Sequence, residues 1–366
     1  MKGYRILIGD LVTNSIYEEL TVTRLSFSHI LNGPGKCDIS TSPNPQSSAL
    51  ADKIKSSNLQ PGRGVIYIEK DGVIVWSGIL WELFVVYPAN RLRLIGEGFW
   101  SYFRRRIVRN TVTFTDRDQH YIAKALIDTA IAETGGNIAG LSTAGTNVTS
   151  GVEVSRTYYD YHRSTVANLI ENLADRQDGF DFGFTSEWDK TTSPHSVSNG
   201  FQCYYPKKGT LNETILDIDA NLTRIQWQQK GQKFTNKVYM IGSGTGPDTL
   251  LTESTDISSI DEGYPLLEHK LAKKEISVAA TLTEYNVQEL QQRKRVYEVL
   301  TVETNPKAPE TRLGAFTTGD IVTVRANRGY LDLDKYYRIM GYDVYVNQDS
   351  NDERISIQLS TVEATE

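Results

Sequence analysis

Histidine, the side chain that most often serves in acid–base catalysis and metal binding, occurs five times in this sequence. None of the five is spaced with a carboxylate or a cysteine as in an HExxH motif or a zinc-binding pattern. We therefore interpret them as surface or capping residues rather than metal ligands. They are His29, His120, His162, His195 and His269.

Paired carboxylates could perform the acid–base chemistry of a glycosidase, in which two groups roughly 5 to 9 Å apart flank the substrate. Two pairs are close in sequence, Asp178 with Asp181 and Glu187 with Asp189. In a chain with 45 Asp and Glu residues such pairs are available anywhere, and these positions are more typical of a helix end and a solvated loop. The sequence therefore assigns no catalytic residue, and it predicts no cofactor and no metal.

The glycine-rich segment Gly242–Pro247 follows an apparent strand, as a phosphate-binding loop would. Its pattern is G-x-G-x-G rather than G-x-G-x-x-G, it has no P-loop lysine, and Pro247 stands where a helix should begin. We interpret it as a flexible turn.

The two cysteines, Cys37 and Cys203, lie far apart and form no CxxC motif. In a reducing compartment this favours free structural thiols over a disulfide.

The elements that would position any site are mainly strands, and the clearest lie between Val65 and Arg109. Val65–Lys70 and Val73–Leu80 are β-branched and aromatic runs separated by Asp71-Gly72, a pair typical of a type I′ hairpin turn. Trp81–Tyr87 and Arg91–Gly96 continue as two further strands, so we predict a meander of four.

Both faces of this meander are apolar. Read at a period of two, one face carries Val65, Tyr67, Val73 and Val75, and the other carries Ile66, Ile68, Ile74 and Trp76. Since a sheet with one wet face should alternate more cleanly, one face is expected to fill a core and the other to meet another domain or subunit.

A helix-bearing segment follows. A helix beginning near Thr115 or Asp116 carries an apolar stripe and ends at Gly135-Gly136. A second helix has Ser164 as its N-cap and ends at Gly179. Strands at Gly179–Phe184 and Phe201–Tyr205 are expected to pair across a polar loop, Ser186–Gly200. The segment therefore predicts a small α+β domain.

The rest of the chain returns to strands. Leu216–Gly242 reads as strands, a helix capped by Thr283 runs to about Arg295, and a last β section starts at the turn Gly319-Asp320. The order predicts a pair of β-barrels, the second split by an insertion.

Charge is unevenly distributed along the 366 residues. Residues 1–110 carry 14 Lys and Arg against 9 Asp and Glu, whereas the remainder carries 25 against 36, giving the net charge of −6. This balance does not indicate a nucleic-acid reader. We expect Arg104, Arg105, Arg106 and Arg109 to pair with acidic residues, in this chain or across a subunit boundary. Neither a secretory signal nor a membrane span is predicted, so synthesis and folding in a cytoplasm are expected.

Several motifs, taken in order, carry a resemblance to a known family. They are Leu31-Asn32-Gly33-Pro34-Gly35, Pro61-Gly62 before IYIEKDGVIVWSGIL, LRLIGEGFWSYFRRRIV, STVANLIENLADRQDGFDF, TRIQWQQKGQKFTNKVYMIGSGTG, Tyr264-Pro265-Leu266-Leu267 and Gly319-Asp320-Ile321-Val322-Thr323-Val324. In this succession the sequence resembles the tail-hub, or baseplate-hub, proteins of tailed bacteriophages, most of all those of long-tailed phages of Gram-positive hosts.

The resemblance implies a mainly β fold with α+β insertions, comprising two tube-like β-barrel domains, the second discontinuous, and two smaller inserted domains. The first barrel would be residues 1–110, followed by an α+β insertion over 111–212. The second barrel would combine 213–243 and 308–366 around a mixed insertion, 244–307. Three such chains would form a homotrimer, a pseudo-sixfold ring that continues the tail tube.

The implied role is that of a structural virion protein at the tail tip, assembled in the host cytoplasm and without enzyme activity. Its partners would be the distal tail protein or tail-tube ring above, tip, spike or fibre proteins, and the tape-measure protein. Genomic DNA would pass through the lumen without sequence-specific binding.

Two alternatives stay open. The first is a lectin-like receptor- or carbohydrate-binding module built on the aromatic-rich strands and the loop Ser186–Gly200, which would expose aromatic side chains. The second is a cell-wall glycoside hydrolase using the four carboxylates named above.

Overall fold

The computed structural model describes residues 3–41, 52, 54, 59–88, 91–176, 178–191, 196–274, 276–347 and 353–362. The mainly β fold class with helix-bearing insertions that the sequence predicts is confirmed. The chain forms two compact units, the first containing Met1–Arg224 and Val302–Gln358, the second Ile225–Thr301 and Leu359–Glu366. The finer division at 110, 212, 243 and 307 stays a prediction.

The described strands are β1 Tyr4–Asp10, β2 Ile16–Leu20, β3 Val22–Ile30, β4 Lys36–Thr41, β5 Gly64–Lys70, β6 Val73–Val86, β7 Arg91–Gly98, β8 Val112–Asp118, β9 Leu141–Ser142, β10 Glu153–Tyr158, β11 Asp181–Asp189, β12 Ser196–Tyr204, β13 Leu211–Asp217, β14 Leu222–Lys230, β15 Lys237–Ile241, β16 Leu251–Thr255, β17 Glu268–Ala272, β18 Tyr297–Thr304, β19 Ile321–Arg328, β20 Leu331–Asn347 and β21 Glu353–Thr361. The described α-helices are α1 Trp100–Phe103, α2 Gln119–Ala132, α3 Val166–Ala174, α4 Ile257–Asp261 and α5 Ala279–Arg293. Short 3₁₀ turns cover Asp160–His162, Gly246–Asp248 and Pro309–Thr311.

The first unit is built on a large, curled sheet. Its strands run in the order β20-β3-β4-β7-β6-β5-β1-β2, and β19 pairs with β20 and, in parallel, with β13. The rings of Tyr4 and Phe27 lie 6.3 Å apart, although their strands are separated by four others in the sheet, so the sheet curls around its own side chains. The enclosed face is apolar and buried: Ile6, Ile8, Leu25, Phe27, Cys37, Ile39, Ile66, Ile68, Trp76 and Leu94. Each such side chain contributes about 1.5–3 kcal/mol on burial.

The predicted hairpin between β5 and β6 is confirmed, with positive φ angles at Asp71 (50°) and Gly72 (86°), as a type I′ turn requires. The predicted division between Val73–Leu80 and Trp81–Tyr87 is wrong, whereas the strand predicted at Arg91–Gly96 is present as β7. Residues Val73–Val86 form one strand of 14 residues, which continues through a bulge between Leu80 and Glu82.

The assignment of side chains to the two faces needs one correction. Ile68 lies opposite Trp76 but Glu69 lies opposite Ile74, so a bulge at Val75 moves Ile74 onto the face of Tyr67. That face is covered within the first unit itself. Val65, Tyr67 and Ile79 share a buried cluster with Ile138, Ala139 and Val197 of the helix-bearing segment.

The first helix of the helix-bearing segment begins later than the predicted start at Thr115 or Asp116. Residues 112–118 form β8, paired with β10, so α2 starts at Gln119 and the Asp118 side chain caps it by accepting from the His120 amide. Thr165, not Ser164, caps α3 by accepting from the Asn168 amide. The expected apolar stripes are buried in a core with Trp100 and Phe201.

The predicted polar loop Ser186–Gly200 is also wrong. Strands β11 and β12 pair without interruption from Asp181 opposite Tyr204 to Asp189 opposite Ser196. Only residues 190–195 connect them, and His195 lies outside the described residues. Along β12 every second residue is buried, namely Val197, Asn199, Phe201 and Cys203.

In the second unit, β15 pairs with β16 in antiparallel and with β17 in parallel fashion. The helix α5 packs on β15 and β16 and buries Leu282 and Leu290. It starts at Ala279 rather than at Thr283, whose hydroxyl donates to the Ala279 carbonyl instead of capping.

Candidate functional site

Three sequence motifs that lie far apart in the chain meet at a single place in the first unit. They are the turn after β3 that holds Asn32, the start of β11 at Asp181, and the turn Gly319-Asp320 before β19. Lys208 and Arg338 complete the group. We call these five residues, Asn32, Asp181, Lys208, Asp320 and Arg338, the polar junction.

Asp181 is the centre of the polar junction. Its residue is 1% exposed, and its carboxylate accepts hydrogen bonds from the Asn32 side-chain amide at 2.9 Å and the Lys208 backbone amide at 2.7 Å. The Arg338 guanidinium completes the set by an ion pair. The backbone amide of Phe182 donates back to the Asn32 side-chain oxygen at 2.8 Å. The buried charge is therefore compensated by donors from three separate parts of the sequence.

Asp320 fixes the second half of the polar junction. Its carboxylate accepts from the backbone amides of Thr210 at 3.1 Å and Thr317 at 2.9 Å. The Lys208 ammonium donates to the Thr318 hydroxyl at 3.1 Å and lies 5.4 Å from the centre of the Tyr204 ring. Burial lowers the pKa of Lys208, and the Asp181 and Asp320 carboxylates oppose that shift.

Two glycines allow the backbones to approach closely at this place. Gly209 and Gly319 have φ angles of 88° and 96°, and a Cβ atom on Gly319 would lie 2.5 Å from the Lys208 carbonyl oxygen. The Ile321 amide donates to the Thr210 carbonyl at 2.9 Å, which starts the parallel pairing of β13 with β19. The polar junction thus joins the curled sheet, the α+β segment and the last β section into one unit.

A second buried network docks the α+β segment onto the curled sheet. The Tyr67 hydroxyl donates to the Asn14 side-chain oxygen at 2.6 Å and accepts from the Asn199 side-chain amide at 2.9 Å. Asn199 also donates to the Ala139 carbonyl, and the Asn14 amide donates to the Val197 carbonyl at 2.7 Å. Because every partner is buried or half-buried, separating the two parts would leave polar groups unpaired.

A cleft of about 600 Å³ lies beside the polar junction. Its lining includes the aromatic residues Trp76, Phe184, Phe316 and Tyr342. The one histidine in the lining, His29, bonds through Nε2 to the Val75 carbonyl at 2.8 Å, and burial lowers its pKa to about 4. This imidazole is therefore a neutral hydrogen-bond donor near pH 7 and is held by the fold rather than presented to a ligand.

The other candidate residues are dispersed. The sequence predicts that Asp181 lies at a helix end in contact with solvent, but this residue is buried in the polar junction. Asp178 and Glu187 are exposed. His120 is buried rather than at the surface, and its Nδ1 bonds to the Asn147 carbonyl. Within the described residues, no group of three or more His, Cys, Asp or Glu side chains could hold a metal ion.

The glycine-rich segment Gly242–Pro247 connects β15 to β16 as a hairpin turn, with the Gly242 amide donating to the Leu250 carbonyl at 2.8 Å. The turn interpretation is confirmed. Cys37 and Cys203 are buried free thiols, also as predicted, and burial raises the pKa of each.

The arginine cluster after α1 pairs within the chain. Arg104 contacts Glu171 at 3.4 Å, and both Arg106 and Arg109 contact Glu133. Arg105 lies over the Trp81 ring, 4.0 Å from its centre. The interpretation as ion-pairing residues is confirmed for Arg104, Arg106 and Arg109, whereas Arg105 makes a cation–π contact instead.

Exposed aromatic side chains are present. Tyr159 and Tyr161 stack at 5.1 Å beside His162, and Tyr161 is 67% exposed. Tyr87 and Tyr330 are exposed to 85% and 105%. The exposed aromatic side chains that we expect of a carbohydrate-binding module are therefore present in this chain.

The fold of this chain is shared with tail proteins over nearly its whole length. The 43 kDa tail protein of prophage MuSo2 from Shewanella oneidensis superposes with a TM-score of 0.66 at 12% identity, covering 98% of both chains. A tail protein from Neisseria meningitidis MC58 gives 0.58 at 14% identity, covering 98% of this chain and 96% of that one. Prophage tail protein gp18 from Listeria monocytogenes gives 0.57 at 12% identity, covering 99% and 95%.

Comparison of the sequence with protein-family models and with curated proteins gives no match. At such low identities the structural likeness establishes only the fold and not the function. Among the described residues, no helix combines the length and apolarity needed to cross a membrane.

Two residues of the polar junction had no signal in the sequence. Lys208 stands in a loop and Arg338 in the middle of a long strand, and neither belongs to a motif that indicates a buried ion pair. A charged residue at an inward or half-buried strand position is the one hint that Arg338 offers.

Proposed function

We propose that this protein is a structural component of a phage tail, the trimeric hub that joins the tail tube to the tail tip and lets DNA pass through its lumen. The observation that carries the proposal is the likeness of fold over at least 98% of this chain to three proteins described as tail proteins. The two tube-like barrels of each subunit would supply six similar positions in a ring of three chains.

The polar junction supports this role. A ring through which DNA passes must hold its parts in fixed positions, and a buried carboxylate with donors from three chain segments does so. The predicted partners are the distal tail protein or tail-tube ring above, tip, spike or fibre proteins, and the tape-measure protein. The proposed location is the virion tail tip after assembly in the host cytoplasm, in a phage of a Gram-positive host.

Purified virions of the phage that encodes this chain test the proposal. Antibodies against the chain should label the tail end distal to the head, and quantitative mass spectrometry should count three copies for each tail. Absence from the virion, or a copy number that matches the tail tube, would overturn it.

A carbohydrate-binding module is the second candidate, favoured by the exposed stack of Tyr159 and Tyr161. The Thr111 hydroxyl donates to the adjacent Asp160 carboxylate at 2.8 Å, which holds this turn in place. Aromatic faces of this kind can stack on sugar rings. Binding of host cell-wall saccharide that Tyr161→Ser abolishes would favour this function over the hub.

A further inference from the structure

The end of the β6–β7 hairpin is an exposed apolar surface. Pairing with β5 ends at Val65 opposite Ile79, whereas pairing with β7 continues to Val86 opposite Arg91. Four consecutive residues there are exposed: Phe84 to 45%, Val85 to 64%, Val86 to 50% and Tyr87 to 85%. We call Phe84–Tyr87 the arm.

Consecutive strand residues point to opposite faces, so both faces of the arm are apolar and exposed to water. A run of four exposed apolar residues is unfavourable in an isolated chain and marks a surface that another molecule covers.

A second apolar surface lies on β13, β19 and β20 of the same sheet. Ile215 on β13, Thr323 on β19 and Tyr336 on β20 are direct cross-strand neighbours and so share one face. Ile215 is 40% exposed and Tyr336 is 58% exposed, and Leu211 at the start of β13 is 62% exposed. We call Leu211, Ile215, Thr323 and Tyr336 the receiving face.

The charges beside the two surfaces are opposite. Arg91 lies on the arm's side of the hairpin, opposite Val86, and Glu213 lies between Leu211 and Ile215, alternating with less exposed residues. In the described part of the chain, neither side chain has an ion-pair partner within 4 Å. An arm laid on the receiving face of another copy would bring the two charges together and remove both apolar surfaces from water.

Symmetry favours a second copy as the occupant. A cyclic ring of three needs a head-to-tail interface, in which two different patches of the same chain meet. The arm and the receiving face are two such patches, both belonging to the first unit and both uncovered there.

We propose that the arm of one copy docks on the receiving face of the next and so closes the ring. This inference rests on the proposed trimeric hub, because a head-to-tail contact closes after three copies only if the rotation between neighbours is threefold.

Disulfide trapping tests the contact. The native thiols Cys37 and Cys203 are buried, at 2% and 3% exposure, so introduced cysteines will react first. Val86→Cys and Ile215→Cys chains should each stay uncross-linked when oxidised alone and form cross-linked dimers when mixed. A chain carrying both substitutions should give covalent species up to the trimer and no larger. A dimer formed by either single variant alone would overturn the head-to-tail arrangement.

Charge reversal tests the same contact without relying on a cross-link. Arg91→Glu and Glu213→Arg should each weaken association about tenfold. A double variant that carries both reversals in one chain should associate as the wild-type chain does. Lys270→Glu, which reverses an exposed charge on β17 remote from both patches in sequence, is the matched control and should leave association unchanged.

The outcomes separate this inference from the hub proposal. If the wild-type chain forms trimers and every arm and receiving-face variant forms them equally well, the docking contact is overturned and the hub proposal stands. A wild-type chain that stays monomeric and gives no cross-link between the mixed variants at high concentration would overturn contact between copies altogether.

Discussion

Replacing Arg338 by methionine should destabilise the first unit more than any surface charge change. Arg338 is the cation that faces the Asp181 carboxylate, and the side chains are 16% and 2% exposed. Methionine retains most of the apolar stem but leaves the buried carboxylate without its ion-pair partner. The guanidinium also donates to the carbonyls of Gly319 at 3.2 Å and Lys208 at 3.1 Å, and these acceptors would lose a donor.

The size of the effect follows from the burial of the pair. Removing one partner of a buried ion pair costs about 3–5 kcal/mol, because the remaining charge has lost its compensation. The two hydrogen bonds that Asp181 keeps, from Asn32 and the Lys208 amide, place the expectation at the lower end, about 3 kcal/mol. Adding Asp181→Asn should recover part of this loss, because the buried charge is then gone.

Urea unfolding followed by tryptophan fluorescence measures this cost, since four of the five tryptophans lie in the first unit. The matched control is Arg93→Met, which breaks the pair with Asp38 at the surface, where the arginine side chain is 51% exposed. That change should cost less than about 1 kcal/mol. If Arg338→Met costs no more than Arg93→Met, the polar junction does not hold the unit together as argued.

Three further results are expected. Gly319→Ala should destabilise by at least about 2 kcal/mol, while Gly314→Ala, with nearly the same φ of 97° but open space around it, should cost only about 1 kcal/mol for the backbone strain; equal losses in unfolding titrations would refute the close-approach argument. The pKa of His29 is lowered from 6.5 to about 4 in the folded chain, so its contribution of roughly 3 kcal/mol is fully present above pH 6.5 and is lost as pH falls from there towards 4. His29→Gln, whose amide can still donate to the Val75 carbonyl, should therefore flatten the pH dependence of the unfolding free energy between pH 6.5 and 5, and an unchanged slope would contradict this. Cys37 and Cys203 should react with a thiol reagent only on unfolding, because burial raises their pKa, and rapid labelling of the native chain would show that they are accessible.

The sequence predicts the local structure of this chain correctly where a short motif or a regular apolar stripe determines it. Asp71-Gly72 determines a turn on its own, and the apolar stripes of α2 and α3 identify their buried faces. The sequence does not predict the bulges at Val75 and after Leu80. Apolar residues there occupy odd and even positions alike, so the pattern does not show which residues face the core. For the same reason the sequence predicts two strands where the structure has a single strand of 14 residues.

The polar junction could be anticipated only in part. Asn32 and the Gly319-Asp320 turn lie in motifs that stand out in the sequence, but the contact of Asn32 with Asp181 spans 149 positions of the chain and that of Arg338 with Asp181 spans 157. No local pattern encodes such a contact. Arg338 in particular sits in a strand whose neighbours give no sign that a carboxylate from another segment faces it.

The native mass of the purified full-length chain tests the central claim most directly. Sedimentation analysis at micromolar concentrations, alone and with the tail-tube protein of the same phage, should show a species of three times 41.1 kDa. A chain that remains a monomer of 41.1 kDa under both conditions would contradict a trimeric hub.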